Sequence, residues 1–221
     1  MVKQTLAWIG ANYWRCSPMA VLEKLELRRF DRRHGLDTAR DVRLAELSIS
    51  SLNKQHGMRY HATPPLSFRR ILNKLRIDFS TYTFIDFGSG KGRTLLLASE
   101  FPFKRIIGVE FGEELHRQAL GNIARYPRRH AAPDQQVQAV HADATEFALP
   151  DGALLLYFFN PFNAVVLRQV LANIAQAARD SARPIFVVYL YLEHPELFAQ
   201  SGQFKVVLRW HRFVVYQCQA A

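Results

Sequence analysis

From Thr83 to the C-terminus the chain alternates short apolar runs with longer amphipathic ones, and few folds accept that order. "TFIDFG" is followed by "GRTLLLASEF" and "RIIGVEF" by "EELHRQALGNIARY". "VQAVHAD" comes next, then "ALLLYFFN", "AVVLRQVLANIAQAARD" and "PIFVVYLY". The short runs are apolar at successive positions, so both of their faces must be buried. Strands of that kind, separated by helices, build a parallel sheet covered on both sides. The end departs from this order. "FKVVLRW" and "RFVVYQCQ" are separated by only a residue or two at His211, which permits only an antiparallel hairpin. The expected fold is α/β, with a mostly parallel sheet that closes in a hairpin over 204–218.

Before Thr83 the pattern is helical: "PMAVLEKLELRRF", a turn at "HGLDT", a helix from "ARDVRLAELSI", and "YHATPPLSFRRILNKLRI". Pro64 and Pro65 end any helix before them and start the next. This predicts two parts, a helical cap over 1–76 and an α/β domain over 77–221. Charge follows the same division. Residues 1–76 hold 15 Lys/Arg against 6 Asp/Glu, a balance of +9, and residues 77–221 hold 14 against 13, a balance of +1. The basic third is either a patch for an acidic partner or nucleic acid, or the solvated face of amphipathic helices. No aromatic-and-basic RNA motif accompanies it. Cys16 and Cys218 lie far apart with no metal-ligand spacing, so buried, reduced and inert thiols are expected. Gln4, Asn12 and Arg15 break the apolar start, which leaves no run of the length that a signal peptide or membrane span needs. A cytoplasmic protein without membrane contact is the expectation.

The candidate site begins at "FIDFGSGKGRT", Phe84 to Thr94. A P-loop needs G-x-x-x-x-G-K-[ST], but Gly92 follows Lys91 and Ile85 stands at the place of the first glycine. A dinucleotide loop needs G-x-G-x-x-G, but counting from Gly88 places Arg93 where the third glycine belongs. What remains is an acid two residues before G-x-G-x-G at a strand end. Asp86 to Gly92 resembles motif I of class I S-adenosylmethionine-dependent methyltransferases. The resemblance implies a Rossmann-like fold with seven strands and S-adenosylmethionine as cofactor. Glycines let the backbone approach the methionine part of that cofactor, and Asp86 suits its cationic groups.

Two more acidic strand ends fall where that family places its next contacts. Glu110 ends the second strand, where a carboxylate can accept both ribose hydroxyls. Asp143, in "HADATEF", matches the acid that receives the exocyclic amine of adenine. The resemblance thus implies cofactor contacts from Asp86, Gly88, Ser89, Gly90, Gly92, Glu110, Phe111, Asp143 and Ala144, with Thr63 and Asn160 beside them. His141 and Asp143 would be spaced for a metal only with a third ligand, and none is evident, so no metal is expected.

The fourth strand ends in "FFNPF". This is similar to motif IV of amino-group methyltransferases, Asn-Pro-Pro-aromatic, with one proline missing. The single "NPF", "DFGSGKGRTLLLA", "IIGVEF" and the tyrosine-proline segment "YHATPP" also resemble the non-SET histone-lysine methyltransferases and related bacterial proteins. Asn160 is the expected substrate-positioning residue, its side-chain oxygen accepting from the attacking amine. Tyr60, Thr63 and Phe162 are candidate walls of that site, while Tyr157, Phe158 and Phe159 are expected mostly in the core, with at most one facing the site. The resemblance implies methyl transfer to a nitrogen or oxygen acceptor, protein lysine foremost, with nucleic acid, a small molecule or non-catalytic cofactor binding as alternatives.

Overall fold

The computed structural model describes residues 18–42, 60–127 and 134–219. Among the described residues two helices precede the sheet, α1 (Pro18–His34) and α2 (Pro65–Lys74). Pro65 stands in the first turn of α2, where its missing N–H costs nothing. The alternating part follows: β1 (Tyr82–Phe87), α3 (Arg93–Ala98), β2 (Arg105–Glu110), α4 (Glu113–Arg125), β3 (Gln136–His141), β4 (Ala153–Phe159), α5 (Ala164–Ser181), β5 (Ile185–Leu190), α6 (Pro195–Ser201), β6 (Phe204–Trp210) and β7 (Phe213–Cys218).

The seven strands form one sheet in the order β3-β2-β1-β4-β5-β7-β6. The β1 to β5 ladders are parallel, and β7 runs antiparallel to both β5 and β6. The fold is thus Rossmann-like, with the hairpin that the short link at His211 requires. His211 itself takes a left-handed φ of 50° in that link. Strand order reverses between β1 and β4, and in open α/β sheets ligands bind at such a switch point, outside the carboxyl ends of the strands.

Successive side chains of β4 show why its run is continuously apolar. Leu154, Leu156 and Phe158 pack with Val166, Leu167, Val170 and Ile174 of α5, while Leu155 and Tyr157 join the core on the opposite face. That second core also contains Phe68, Ile71 and Leu72 of α2 and Phe30 of α1. Both N-terminal helices therefore share the sheet's own hydrophobic layer. Tyr157 and Phe158 are fully buried, as expected of core residues, and Phe162 is 8% exposed. Phe162 packs edge-on against Phe158 and lies in the core, so it is no wall of the site.

Two local readings of the sequence are corrected. The helix expected to begin at Ala39 does not begin there: Asp31 accepts from the backbone N–H of Thr38 and Ala39 and from the Thr38 hydroxyl, which fixes a turn instead. Val42 then bridges antiparallel to Tyr60, and the rest of the expected helix falls outside the described residues, as does Cys16. The other correction adds α6, a short helix in "HPELFAQS" between β5 and β6. Cys218 is buried, and burial pushes its thiol up to about 11, which leaves it protonated and unreactive at neutral pH.

Candidate functional site

The turn from β1 into α3 needs glycine at three positions. Gly88, Gly90 and Gly92 have φ of 76°, 52° and 80°, the left-handed region that other residues enter only at a cost. Their surroundings differ. A Cβ on Gly88 would lie 2.5 Å from Pro161 Cβ, so the glycine lets the "NPF" loop close on the turn. A Cβ on Gly90 would fall inside the ring of Tyr60. At Gly92 a Cβ would press on Ala119 of α4 at 3.1 Å, and its carbonyl accepts from Leu95 and Leu96 at the start of α3. Gly92 thus serves helix packing, while Gly88 and Gly90 face the cleft side of the turn.

Beneath the turn stand two buried carboxylates, each 3% exposed. Burial pushes Asp86 up to about 8; the Thr94 hydroxyl bond opposes this, and the negative charge of Glu110 adds to it. A buried carboxyl so shifted gains from a cation placed beside it. Glu110 is also raised by burial, against the pull of three backbone N–H groups and His141. Its Oε2 accepts from Gly90 N–H and its Oε1 from Gly112 N–H, both at 2.8 Å. The carboxylate expected to hold a ribose therefore already ties the glycine turn to the end of β2. An ionised carboxylate can accept about four hydrogen bonds, so hydroxyls of a ligand can still be received.

A narrow cleft opens at the switch point, lined by Tyr60, His61, Thr63, Asp86, Gly88, Ser89, Arg93, Thr94 and Phe159. It brings together five of the residues singled out from the sequence: Tyr60, Thr63, Asp86, Gly88 and Ser89. Thr63 is buried, and its hydroxyl lies 3.1 Å from that of Tyr157 and within reach of Thr94. Ser89 Oγ is buried with no hydrogen-bond partner among the described residues. Tyr60 donates its hydroxyl to the Thr38 carbonyl at 2.8 Å and lays its ring on Gly90. Burial pushes the Tyr60 phenol well above its ordinary range, so it is no proton acceptor at neutral pH.

The remaining expected residues are not among those that line this cleft. Asn160 sits at the end of β4 with φ 43°, a conformation that asparagine tolerates, and its Oδ1 accepts from the Tyr189 hydroxyl at 3.4 Å. Asp143 uses Oδ1 to accept from the N–H and hydroxyl of Thr145, which fixes the turn after β3. Ala144 is buried in the core, and Phe111 offers its carbonyl to His141 Nε2 at 3.1 Å. His116 stacks on His141 at 5.5 Å, and among the described residues no cluster of three His, Cys, Asp or Glu could hold a metal.

Sequence reasoning missed two sets of residues. The first is a stack of rings at the ends of β4 and β5, in which Phe159 is the one β4 aromatic that faces the cleft, as the sequence allowed, and its partners were not foreseen. Arg212 lies over Tyr191 at 4.9 Å, Tyr191 stacks on Phe159 at 5.5 Å, and Phe159 meets His61 at 6.4 Å. Tyr191 holds a left-handed φ of 56°, a strained conformation for a bulky residue, of the kind that concentrates at functional sites. The second is a pair of cations behind the glycine turn. Lys91 and Arg93 are each 1% exposed and pair with Asp37 at 3.2 Å and Asp31 at 2.8 Å. Their position in "GSGKGR" gave a hint of special surroundings, but their partners are 54 and 62 residues away.

No protein-family model matches the chain, and no curated protein matches its sequence. Solved structures share its fold. Magnesium protoporphyrin IX methyltransferase from Synechocystis PCC 6803, solved with bound S-adenosylmethionine, superposes with a TM-score of 0.50 at 11% identity, over 90% of this chain and 97% of that one. A predicted N6-adenine-specific DNA methylase from Listeria monocytogenes gives 0.51 at 12% identity, over 72% of this chain and 52% of that one. At 11% and 12% identity these likenesses show a shared fold, a seven-stranded Rossmann-like α/β sheet.

Proposed function

We propose that this chain is an S-adenosylmethionine-dependent methyltransferase acting on a nitrogen or oxygen acceptor, with the amine of a protein lysine as the favoured one. The observation that carries the reading is the glycine turn at the sheet's switch point, with Asp86 buried beneath it and Glu110 bonded to it. The residues fit the cofactor's chemistry. Asp86 is a desolvated carboxyl that a cationic amino group would stabilise, Ser89 Oγ is a buried group in want of a partner, and Gly88 and Gly90 let backbone come close.

In this reading Asp86, Gly88, Ser89 and Gly90 hold the methionine part, Glu110 and Phe111 the ribose, and Asp143 and Ala144 the adenine, while Gly92 shapes the turn. When bound, the cofactor supplies an electrophilic methyl group on a sulfonium. The chain's own part is mainly alignment, which contributes on the order of 7 to 11 kcal/mol in well-oriented reactions. Asn160 Oδ1 accepts from the acceptor's N–H and aims its lone pair, with the Tyr189 hydroxyl fixing the amide. Thr63 and Tyr60 stand at the methionine end of the cleft. Residues 77–221 form the cofactor-binding domain and residues 1–76 its basic cap, and the setting is cytoplasmic.

A second reading, a non-catalytic module that binds the cofactor as a sensor, draws on the closeness of the cleft. The cleft has room for one water, about 10 Å³, and the Tyr60 ring lies on Gly90. Titration calorimetry with S-adenosylmethionine decides the shared premise. Binding is expected, and Gly90→Val is expected to abolish it by filling the approach to the turn. Binding of NADH or ATP in its place would overturn both readings. Conversion to S-adenosylhomocysteine with a protein acceptor, read by mass spectrometry of a lysate labelled with an isotopic methyl donor, separates enzyme from sensor.

A further inference from the structure

Helix α1 divides its charges by face. Its three acids, Glu23, Glu26 and Asp31, all turn toward the body of the protein and are all engaged: Glu23 pairs with Arg212 at 3.3 Å, Glu26 accepts from Leu66 N–H at 2.7 Å, and Asp31 holds Arg93. Its five bases, Lys24, Arg28, Arg29, Arg32 and Arg33, are all exposed. Between them on the outward face stand Val21, Leu22 and Leu25, at 50%, 59% and 58% exposure, and Leu66 at the start of α2 is 51% exposed. Val21, Leu25, Arg28 and Arg32 follow the i, i+4, i+7, i+11 spacing of one helical stripe. The stripe is apolar in its first half and cationic in its second, and no described residue covers it.

We propose that this outward face of α1 is a docking surface for an acidic amphipathic helix of a partner protein. Large apolar side chains at half exposure or more lose by staying in water, and four of them in one place mark an interaction site. A phosphate backbone gives Leu22 and Leu25 nothing to pack on. A bilayer surface would be met by apolar residues flanked by bases, whereas here the two kinds follow one another along the axis. A helix carrying leucines at one end of a face and carboxylates at the other matches both halves at once. The location also suits delivery of a protein acceptor, because Arg93, anchored by α1, lines the cleft.

The surface exists whether or not the chain transfers methyl groups, so its test is a binding measurement on the full chain. The probe is a synthetic peptide of about the 17-residue length of α1, with leucines on one half of a helical face and glutamates on the other. Controls are a scrambled peptide of equal composition, single-stranded RNA of similar length and vesicles containing phosphatidylserine. The patterned peptide is expected to bind about tenfold or more tightly than the scramble, a difference of about 1.4 kcal/mol. Leu22→Ser with Leu25→Ser should erase that preference, and Arg28→Ser with Arg32→Ser should weaken binding and flatten its dependence on salt. All four positions are exposed, so folding is unaffected, and an unchanged melting temperature verifies it. Equal binding of both peptides, tighter binding of RNA or vesicles, or indifference to the leucine pair overturns the proposal. Cofactor calorimetry on the same variants reports separately on the methyltransferase reading.

Discussion

The two halves of the sheet's carboxyl edge are built differently. Over β1 and β2 the groups are buried and held by the protein itself: Asp86 by Thr94, Glu110 by Gly90 and Gly112, Arg93 by Asp31 and Leu27. Over β4 and β5 the groups are half exposed, arranged in a stack of rings with left-handed backbone at Asn160 and Tyr191. The first half resembles a small hydrophobic core with charges in it, and the second resembles a binding surface. Substitutions should therefore act mainly on stability in the first half and mainly on turnover in the second, and each of the following can break that division.

The largest effect is expected at Arg93. It is 1% exposed, pairs with Asp31, and donates to the Leu27 carbonyl while lying over Phe30 at 5.1 Å. Removing one member of a buried ion pair leaves the other uncompensated, at a cost of about 3–5 kcal/mol. Chemical denaturation of Asp31→Ala should show a loss of that size, as should removal of residues 1–55, which deletes Asp31 and Phe30 together. A fold indifferent to both changes would make α1 a detachable rim.

Asp86 should show the opposite sign. Its carboxyl is raised from the ordinary value near 3.8 to about 8, so the folded state binds a proton that the unfolded state releases. Stability from this group is complete below about pH 4 and falls as pH rises toward 8. Asp86→Asn keeps a neutral group there. It should stabilise the ligand-free protein at pH 8 by up to roughly 5 kcal/mol, the linkage value of a carboxyl raised from 3.8 to about 8, and the gain should vanish near pH 4. The same change should weaken S-adenosylmethionine binding, because a cation is held by the charged form. Wild-type affinity should then rise between pH 6 and 8 while that of the variant stays flat. A variant destabilised at every pH would assign Asp86 to structure.

Much of the first half was legible in the sequence because its constraints are local. Three glycines at alternate positions need a left-handed turn, and acids at strand ends announce themselves by the strands before them. The partners of that turn were not legible. Nothing near "GSGKGR" says that Arg93 closes on Asp31 or that Tyr60 lies on Gly90, since those contacts depend on how the N-terminal segment crosses the sheet. The second half was less readable still. "NPF" located Asn160 and one aromatic of β4 was allowed to face the site, but the stack of Arg212, Tyr191, Phe159 and His61 draws on four separate segments, and nothing in any one stretch says that they meet.

In the second half, Asn160→Ala should leave stability within about 1 kcal/mol, since among the described residues its side chain accepts only a 3.4 Å bond from the Tyr189 hydroxyl. Turnover should fall by roughly tenfold or more with cofactor affinity unchanged, because the contact forms with the acceptor as the methyl moves. Calorimetry and single-turnover kinetics on one preparation separate the two quantities. Equal losses in both would place Asn160 with the cofactor-holding half.

The smallest effect, at Tyr60, tests the boundary between the halves. Its ring rests on Gly90 and its hydroxyl bonds the Thr38 carbonyl at 2.8 Å, so the closed position is held by packing and by one hydrogen bond. Tyr60→Phe keeps the ring and removes the bond, which weakens the closed position by about 0.5–1.5 kcal/mol. If the cofactor's methionine end takes the place of the ring, the ring must first leave, and apparent affinity is reduced by the fraction of chains in which it has left. The variant should then bind S-adenosylmethionine a few-fold more tightly, with the gain in the association rate. A ring that instead closes over the bound cofactor would lose a support in the same variant, and binding would weaken through faster dissociation. The sign of the change thus tells whether Tyr60 belongs to the rigid half as a plug or to the adaptable half as a lid.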